Sequence, residues 1–267
     1  LGLKMIRRAN SIGHHYFIAN LTSKDIASSV ALAVNEKHGI WYNPMTGKYH
    51  EATIGDKGIQ LNLKSGESRI LITSNKPVNE WKLGSKVKVG GKEAIATADS
   101  KTIDLTENAW KLSFTEDAPK VGETFNLKGV KSWEGLSEKA KVMMGTGVYE
   151  TTIKLSKDDA KKQWAIDLGD VRESARVYIN NKYIGCAWAV PYILNCKDAL
   201  NKGKNTIRIE VTNLPANRIA EMDRQGIKWR KMKEINVVDI NYKKTTYENW
   251  TPVPSGLNGT VKLVEIK

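Results

Sequence analysis

The chain of 267 residues holds only two cysteines, four histidines and three phenylalanines, and aromatic residues make up just 7% of it. Two cysteines are too few for a disulfide scaffold. Cys186 and Cys196 stand ten apart with no Cys-x-x-Cys or Cys/His metal spacing. That pattern points to two half-buried thiols ahead of a single local disulfide. No apolar run exceeds a handful of residues, far below the roughly 18 that would span a bilayer, so no transmembrane helix is expected. A leader pattern is lacking too. The chain opens Leu1-Gly2-Leu3-Lys4 with no charged segment before a long apolar core, as expected of a mature secreted protein or an excised piece of a larger one.

Acidic charge is in short supply. There are 42 Lys+Arg against 29 Asp+Glu, a formal net charge of +13. Such a balance admits nucleic acid, an anionic membrane surface or another acidic polymer as partner. Its distribution narrows the choice: residues 1–103 carry 15 Lys+Arg and 8 Asp+Glu, the remainder 27 and 21. An excess spread over both halves, without a recognised nucleic-acid module, argues against nucleic acid. The densest basic run, Arg224 to Lys233 around Trp229 with Lys228, Arg230 and Lys231, does not change that reading.

Short β-prone runs fill the chain. His15–Leu21, Ser29–Val34 and Gly39–Tyr42 end in polar breakers, and Asn43-Pro44 with Gly47 marks a turn. In Gly58–Leu63 the alternation puts Ile59, Leu61 and Leu63 on one face, and Arg69–Thr73 reads as its hairpin partner across Ser65-Gly66. The polar stretch from Asn75 to Lys101 has only weak strand candidates such as 86–89. A boundary near Asp104 therefore divides the chain into 1–103 and 104–267. Beyond it strands resume at Ala109–Phe114, Gly147–Leu155, Trp164–Leu168, Ala175–Ile179, Asn205–Val211 and Gly259–Val264. Helices are expected only over 137–144 and 215–222. The chain is thus all-β, two tandem β-sandwiches, each needing a second layer over its apolar face.

Residues 147–218 carry the most specific pattern. Gly147-Val148-Tyr149 opens a strand, and Ile166–Val171 and Ala175–Gly185 follow. The latter turns at Asn180-Asn181, residues that tolerate left-handed backbone. Then come Pro191-Tyr192, Leu200–Ile207 and Val211-Thr212-Asn213 with Asn217-Arg218. This succession resembles the galactose-binding-like jelly roll, the sugar-binding domain of glycoside hydrolase family 2. Trp110–Phe114, Leu127 and Trp133 look like its first strands. The ending Ser255-Gly256-Leu257-Asn258-Gly259 resembles the Ser-Gly-Leu-x-Gly close of α-L-rhamnosidase-like glycoside hydrolases. The resemblance implies a domain at the C-terminal end of a longer chain, behind a catalytic barrel, with 1–103 as a smaller β-domain. A (β/α) barrel alone takes roughly 250 residues and alternates strand with helix. Nothing of that kind fits here, so no catalytic residue is carried over.

Sugar contact calls for aromatic faces and planar hydrogen-bonding groups. Trp188, Tyr192, Trp229 and Trp250 fall in or beside loops, with Asn217, Arg218 and Arg224 near in sequence. The resemblance implies that ligand loops gather at one end of the sandwich, which makes these seven the candidates. Trp110 and Trp164 are expected in the core. Two carboxylate pairs stand out, as hydrolysis would need. Asp158-Asp159 reads as solvated surface; Glu221 and Asp223 read as ion-paired with Arg218 or Arg224, a small hydrolase using them being the least favoured reading. His14-His15 point to opposite faces of a strand and make no metal site. No cofactor is expected; calcium is allowed by the resemblance but has no loop signature here. The expected partners are an oligo- or polysaccharide, an acidic pectin-like one included, and the catalytic domain of a longer chain, outside the cell or in the periplasm. A carbohydrate-binding module acting without a hydrolase is the alternative.

Overall fold

Period-two alternation in the sequence becomes strands whose apolar sides face inward. The computed structural model describes residues 1–81, 99–231, 240–241 and 245–266. Two units emerge, residues 1–95 and 96–267. The strand candidate at 86–89 and Lys233 lie outside the described residues. In the first unit the strands are β1 (Lys4–Ala9), β2 (Gly13–Ala19), β3 (Ile26–Val30), β4 (His38–Asn43), β5 (Lys48–Glu51), β6 (Ile54–Gly55), β7 (Gly58–Leu63) and β8 (Ser68–Ser74). They form a five-stranded sheet ordered β1-β2-β8-β4-β5 and a three-stranded sheet ordered β3-β7-β6. Tyr16, Ile18, Ile26, Trp41, Leu61 and Leu71 join in its core.

Ile59, Leu61 and Leu63 share a buried face, as the alternation requires. The expected hairpin with the following strand does not form. β7 pairs with β3 and β6, while β8 pairs with β2 and β4. The turn at Ser65-Gly66 carries the chain from one sheet to the other, and buried Asn20 at the end of β2 fixes that crossing. Its side-chain nitrogen donates to Leu63 O at 3.1 Å and Lys24 O at 2.8 Å. Its backbone receives Gly66 N at 2.8 Å and donates to Glu67 O at 2.9 Å. Alternation reveals which side of a strand is buried but not which strand lies beside it. As expected of adjacent strand residues, the two histidines take separate partners, His14 with Glu36 at 2.8 Å and His15 with Asn10 at 2.6 Å.

The second unit contains β9 (Thr102–Asp104), β10 (Ala109–Ala118), β11 (Phe125–Lys128), β12 (Met144–Leu155), β13 (Trp164–Asp167), β14 (Val171–Arg172) and β15 (Ser174–Ile179). Then follow β16 (Lys182–Ala187), β17 (Ile193–Asn195), β18 (Gly203–Thr212), β19 (Gly256–Leu257) and β20 (Lys262–Glu265). A six-stranded sheet ordered β11-β10-β12-β18-β15-β16 faces a four-stranded sheet ordered β17-β13-β20-β9, with the short pair β14-β19 beside them. Every pairing is antiparallel. Thr102 and Ile103, on the first-domain side of the sequence boundary, pair with β20 and belong to this unit. The boundary thus lies earlier than residue 104. Among the described residues two short α-helices occur, α1 (Glu138–Val142), capped by the Ser137 hydroxyl, and α2 (Ala216–Arg224).

Trp110, Trp133 and Trp164 are almost wholly buried here with Ile166, Val177, Ile207 and Leu263. Each such side chain contributes about 2–3 kcal/mol by leaving water. One polar group sits among them. The Tyr149 hydroxyl accepts from Trp133 Nε1 at 2.8 Å and from Leu257 N at 3.2 Å, and donates to Lys131 O at 3.3 Å. Burial pushes its pKa well up, with its hydrogen bonds opposing. Gly256 lies against this group with φ near +89°, and a Cβ there would stand 2.4 Å from both Trp133 Nε1 and the Tyr149 oxygen. The Ser-Gly-Leu close is therefore a seat in which only glycine fits.

Two expectations follow. Gly256→Ala should lower stability by about 3 kcal/mol, from the left-handed backbone and the overlap together. Urea unfolding followed by tryptophan fluorescence measures it, and a change under about 0.5 kcal/mol would contradict the seat. Both cysteines are free. Cys196 is fully buried and its thiol is pushed up to about 12 by that burial, whereas Cys186 is half-buried. Since the thiolate is the reactive form, a chromogenic disulfide reagent at pH 8 should react first at Cys186, and at Cys196 only after denaturation. Equal rates in the native protein would refute this.

Candidate carbohydrate-contact site

Helix α2 organises the candidate residues. Pro215, whose ring presets a helix-compatible φ, precedes it. Ala220 and Asn217 are buried on its inner side. Residues 245–254 run along the helix in the opposite direction as a strap. At one end the Asp223 carboxylate accepts from Tyr247 N at 2.8 Å and from Trp229 Nε1 at 2.7 Å. In the middle Arg224 donates to Glu248 O at 2.9 Å, to Trp250 O at 3.1 Å and to the Glu221 carboxylate at 2.8 Å. At the far end the Asn217 amide donates to Val253 O at 2.9 Å and accepts from Val253 N at 2.8 Å. Ser255 continues the strap inward, its hydroxyl accepting from Asn213 at 3.2 Å.

This geometry redistributes the roles read from the sequence. Asn217 is buried and its amide oxygen and nitrogen are both engaged by the strap, so it is a clamp rather than a surface ligand. Arg224 spends its guanidinium on two strap carbonyls and Glu221. Glu221 and Asp223 are two positions apart on a helix, hence rotated by about 200° from each other. Both are held by neighbours. Two carboxylates so placed do not face each other across a scissile bond. Asp158 and Asp159 are paired with Lys161, Lys101 and Lys162. The Lys101 hydrogen bond, then that from Ser156, holds the Asp159 carboxyl below the usual range.

Three aromatic rings gather at the strap. Tyr247 and Trp250 lie 4.5 Å apart at 53°, and Trp229 and Tyr247 lie 6.3 Å apart. The Arg230 guanidinium stands 5.1 Å from the Trp229 ring and 5.5 Å from the Tyr247 ring, and it also donates to Thr245 O. Trp229 therefore has a cation beside its ring and a carboxylate on its indole nitrogen. Trp250 is half exposed, at 50%. It offers a free aromatic surface for the apolar face of a sugar ring. Arg218 is half-buried on α2 and, among the described residues, its guanidinium has no hydrogen-bond or ion-pair partner. Sequence reasoning missed Tyr247, and it put Arg230 in the basic run rather than the site. The Tyr-x-x-Trp spacing before a proline-rich loop was the available signal.

Residues 136–255 match the family model described as the glycosyl hydrolase 2 galactose-binding domain-like domain. The match lies within the second unit, over four strands of the six-stranded sheet (β12, β15, β16 and β18), α2 and the strap. The second unit is a galactose-binding-like domain. A curated relative named putative beta-glucuronidase, from Formosa agariphila, is 27% identical over 232 residues, which is 78% of this chain and 20% of that protein. Among solved structures, a rhamnosidase from Novosphingobium sp. PP1Y superposes over 98% of this chain with a TM-score of 0.68 and 22% identity, using 24% of its own length. The fold is therefore shared across both units. The chain spans a fifth to a quarter of the length of these two proteins.

Trp188 and Tyr192 occupy another loop of the galactose-binding-like domain. Trp188 is 63% exposed and follows β16. Tyr192 packs partly on the core and accepts Leu168 N through its carbonyl at 2.9 Å. Burial, then the nearby Glu173 and Asp170, raise its hydroxyl pKa, with Arg172 opposing. Arg172 donates to Asp170 at 2.9 Å, and β14, which carries it, pairs with β19 at the end of the strap. Among the described residues no ring contact joins Trp188 or Tyr192 to the three strap aromatics. No group of three or more His, Cys, Asp or Glu among the described residues is arranged to hold a metal ion.

If Asp223 pins the strap, Asp223→Ala should release both Tyr247 N and the Trp229 indole. A net hydrogen-bond loss of about 1.4 kcal/mol corresponds to amide exchange about tenfold faster at Tyr247. Exchange by NMR tests it, with Asp223→Asn as the variant that keeps an acceptor. Unchanged exchange in Asp223→Ala would remove the strap's anchor.

Proposed function

We propose that this chain is the non-catalytic, carbohydrate-contacting region of a longer glycoside hydrolase of the α-L-rhamnosidase-like kind. The observation that carries this reading is the half-exposed Trp250 beside Tyr247, held on a galactose-binding-like domain by a strap that Asp223, Arg224 and Asn217 pin in place. Rigid presentation lowers the ordering cost of binding, because the ring is already fixed before ligand arrives. The short span of this chain along its two relatives supports a role as part of a larger protein. Trp188 and Tyr192 are a second contact point in this reading, and Arg218 a hydrogen-bonding group for a hydroxyl or a carboxylate.

The substrate in this proposal is a plant-type polysaccharide. The overall charge of +13 favours an acidic one such as pectin, since cations raise the local concentration of a polyanion. Secretion to the periplasm or the medium goes with such a substrate. The alternative, a module acting without a hydrolase, rests on the same site. A reading frame for a barrel in the same gene favours the first, and a signal peptide immediately before Leu1 favours the second.

The test is binding of the 267-residue chain to an array of plant-wall glycans that includes pectic oligosaccharides. Trp250→Ala should weaken the strongest interaction about tenfold, near 1.4 kcal/mol, and Trp229→Phe should change it little. An array signal indifferent to Trp250→Ala and to Trp188→Ala would overturn the proposal, as would an array with no signal.

A further inference from the structure

The outer face of the six-stranded sheet carries a feature that the strap reading leaves unused. A depression of about 490 Å³ lies over its middle. Strand register explains how it is lined. Asn126 is opposite Lys111, Lys111 opposite Glu150, Glu150 opposite Arg208, Arg208 opposite Tyr178, and Tyr178 opposite Tyr183. One residue from each strand thus forms a single row across the whole sheet, perpendicular to the strands. At a strand spacing of about 4.8 Å, the row is roughly 24 Å long, the length of an oligosaccharide segment rather than a single sugar.

The side chains in this row are prepared for hydrogen bonding and stacking. The Arg208 guanidinium sits 4.1 Å from the Tyr178 ring centre and pairs with Glu210 at 3.1 Å. Tyr183 lies 5.3 Å from Tyr178, so the row ends in an aromatic shelf. Among the described residues, the side chains of Lys111, Glu150, Asn126, Thr152 and Asn181 have no hydrogen-bond or ion-pair partner. Exposed polar side chains are ordinary singly. Here they converge on one depression flanked by two tyrosines, on strands whose opposite sides are fixed in the core. A protein partner would call for an apolar centre, and no large aliphatic side chain is exposed in this row.

Charge decides the class of glycan. Lys111 and Glu150 are directly opposite each other, Glu150 stands between Lys111 and Arg208 in the row, and Glu210 pairs with both Arg208 and Arg176. The groove therefore alternates in sign along its length, with a carboxylate at its middle and no run of cations for a polyanion to follow. We propose that this transverse groove is a second binding site, for an extended neutral glycan. The apolar faces of its pyranose rings would stack on Tyr178 and Tyr183, and its hydroxyls would bond to Glu150, Lys111, Asn126 and Thr152. The proposal is independent of Trp250 and of the strap.

Calorimetric titration of the 267-residue chain with cellohexaose, xylohexaose, mannohexaose and hexagalacturonate tests it. At least one neutral hexasaccharide should bind with an affinity that changes less than twofold between 50 mM and 500 mM salt. Glu150→Gln, Lys111→Ala and Tyr178→Ala should each weaken it about tenfold, while Trp250→Ala should change it less than twofold. Glu150 and Lys111 are exposed, so their variants keep the fold even where Tyr178→Ala costs stability; thermal melting checks this. Silence of all three neutral probes, binding of hexagalacturonate alone, or indifference to Glu150→Gln and Lys111→Ala would each overturn the groove. Loss of binding in Trp250→Ala with the groove variants unaffected would assign the signal to the strap instead.

Discussion

The Tyr149 hydroxyl is the constraint on which the strap end of the second unit depends. It is buried, accepts from the Trp133 indole and the Leu257 amide, and donates to Lys131. A buried hydroxyl without partners costs a few kcal/mol, while one with all its partners specifies their positions. Here the partners come from two separate stretches of chain, 131–133 and Leu257, that meet on the strand carrying Tyr149. Seating Leu257 fixes Gly256 and Ser255, and Ser255 in turn meets Asn213 at the end of β18. The strap that carries Trp250 emerges from this fixed point, so the placement of an exposed ring is controlled from the core.

The strap itself is held by hydrogen bonds rather than by apolar burial. Asp223, Arg224 and Asn217 supply acceptors and donors to backbone groups that sheet pairing does not reach. This satisfies an irregular segment without requiring a longer helix or another strand. It also engages the carboxylates of Glu221 and Asp223, which in the sequence read as ion-paired ahead of catalytic. Glu221 and Asp223 are conspicuous as a pair, but their geometry is that of a scaffold.

Much of the fold was legible because buried faces leave a period-two mark. Ile59, Leu61 and Leu63, and Ile207, Ile209 and Val211, announced their inner sides correctly. Asn180-Asn181 announced a turn, and both residues have positive φ. Pairing was not legible in the same way. β7 and β8 are neighbours in sequence yet lie in different sheets, because the polar contacts of Asn20 route the connection. The short strand at Thr102–Asp104 carried too few residues for a pattern, so the start of the second unit was placed late. Tyr247 stayed hidden because a loop has no periodicity to betray it, and its importance comes from contacts with Trp229, Arg230 and Trp250.

Composition and alternation by themselves determined an all-β chain in two parts, with Trp110 and Trp164 inside and no room for a barrel. Motif order determined the galactose-binding-like character of the second part. Only the tertiary structure decided which candidate residues are free to meet a ligand. Trp229 and Trp250 are the same residue type in the same kind of segment. One has its indole nitrogen bound by Asp223 and its ring beside Arg230, and the other stands half exposed. The transverse row from Asn126 to Tyr183 is likewise invisible in sequence, where its members are scattered between Lys111 and Arg208, over nearly a hundred positions. Register is a relation between strands, and it is fixed by packing and by cross-strand hydrogen bonds that exist only once the sheet has formed.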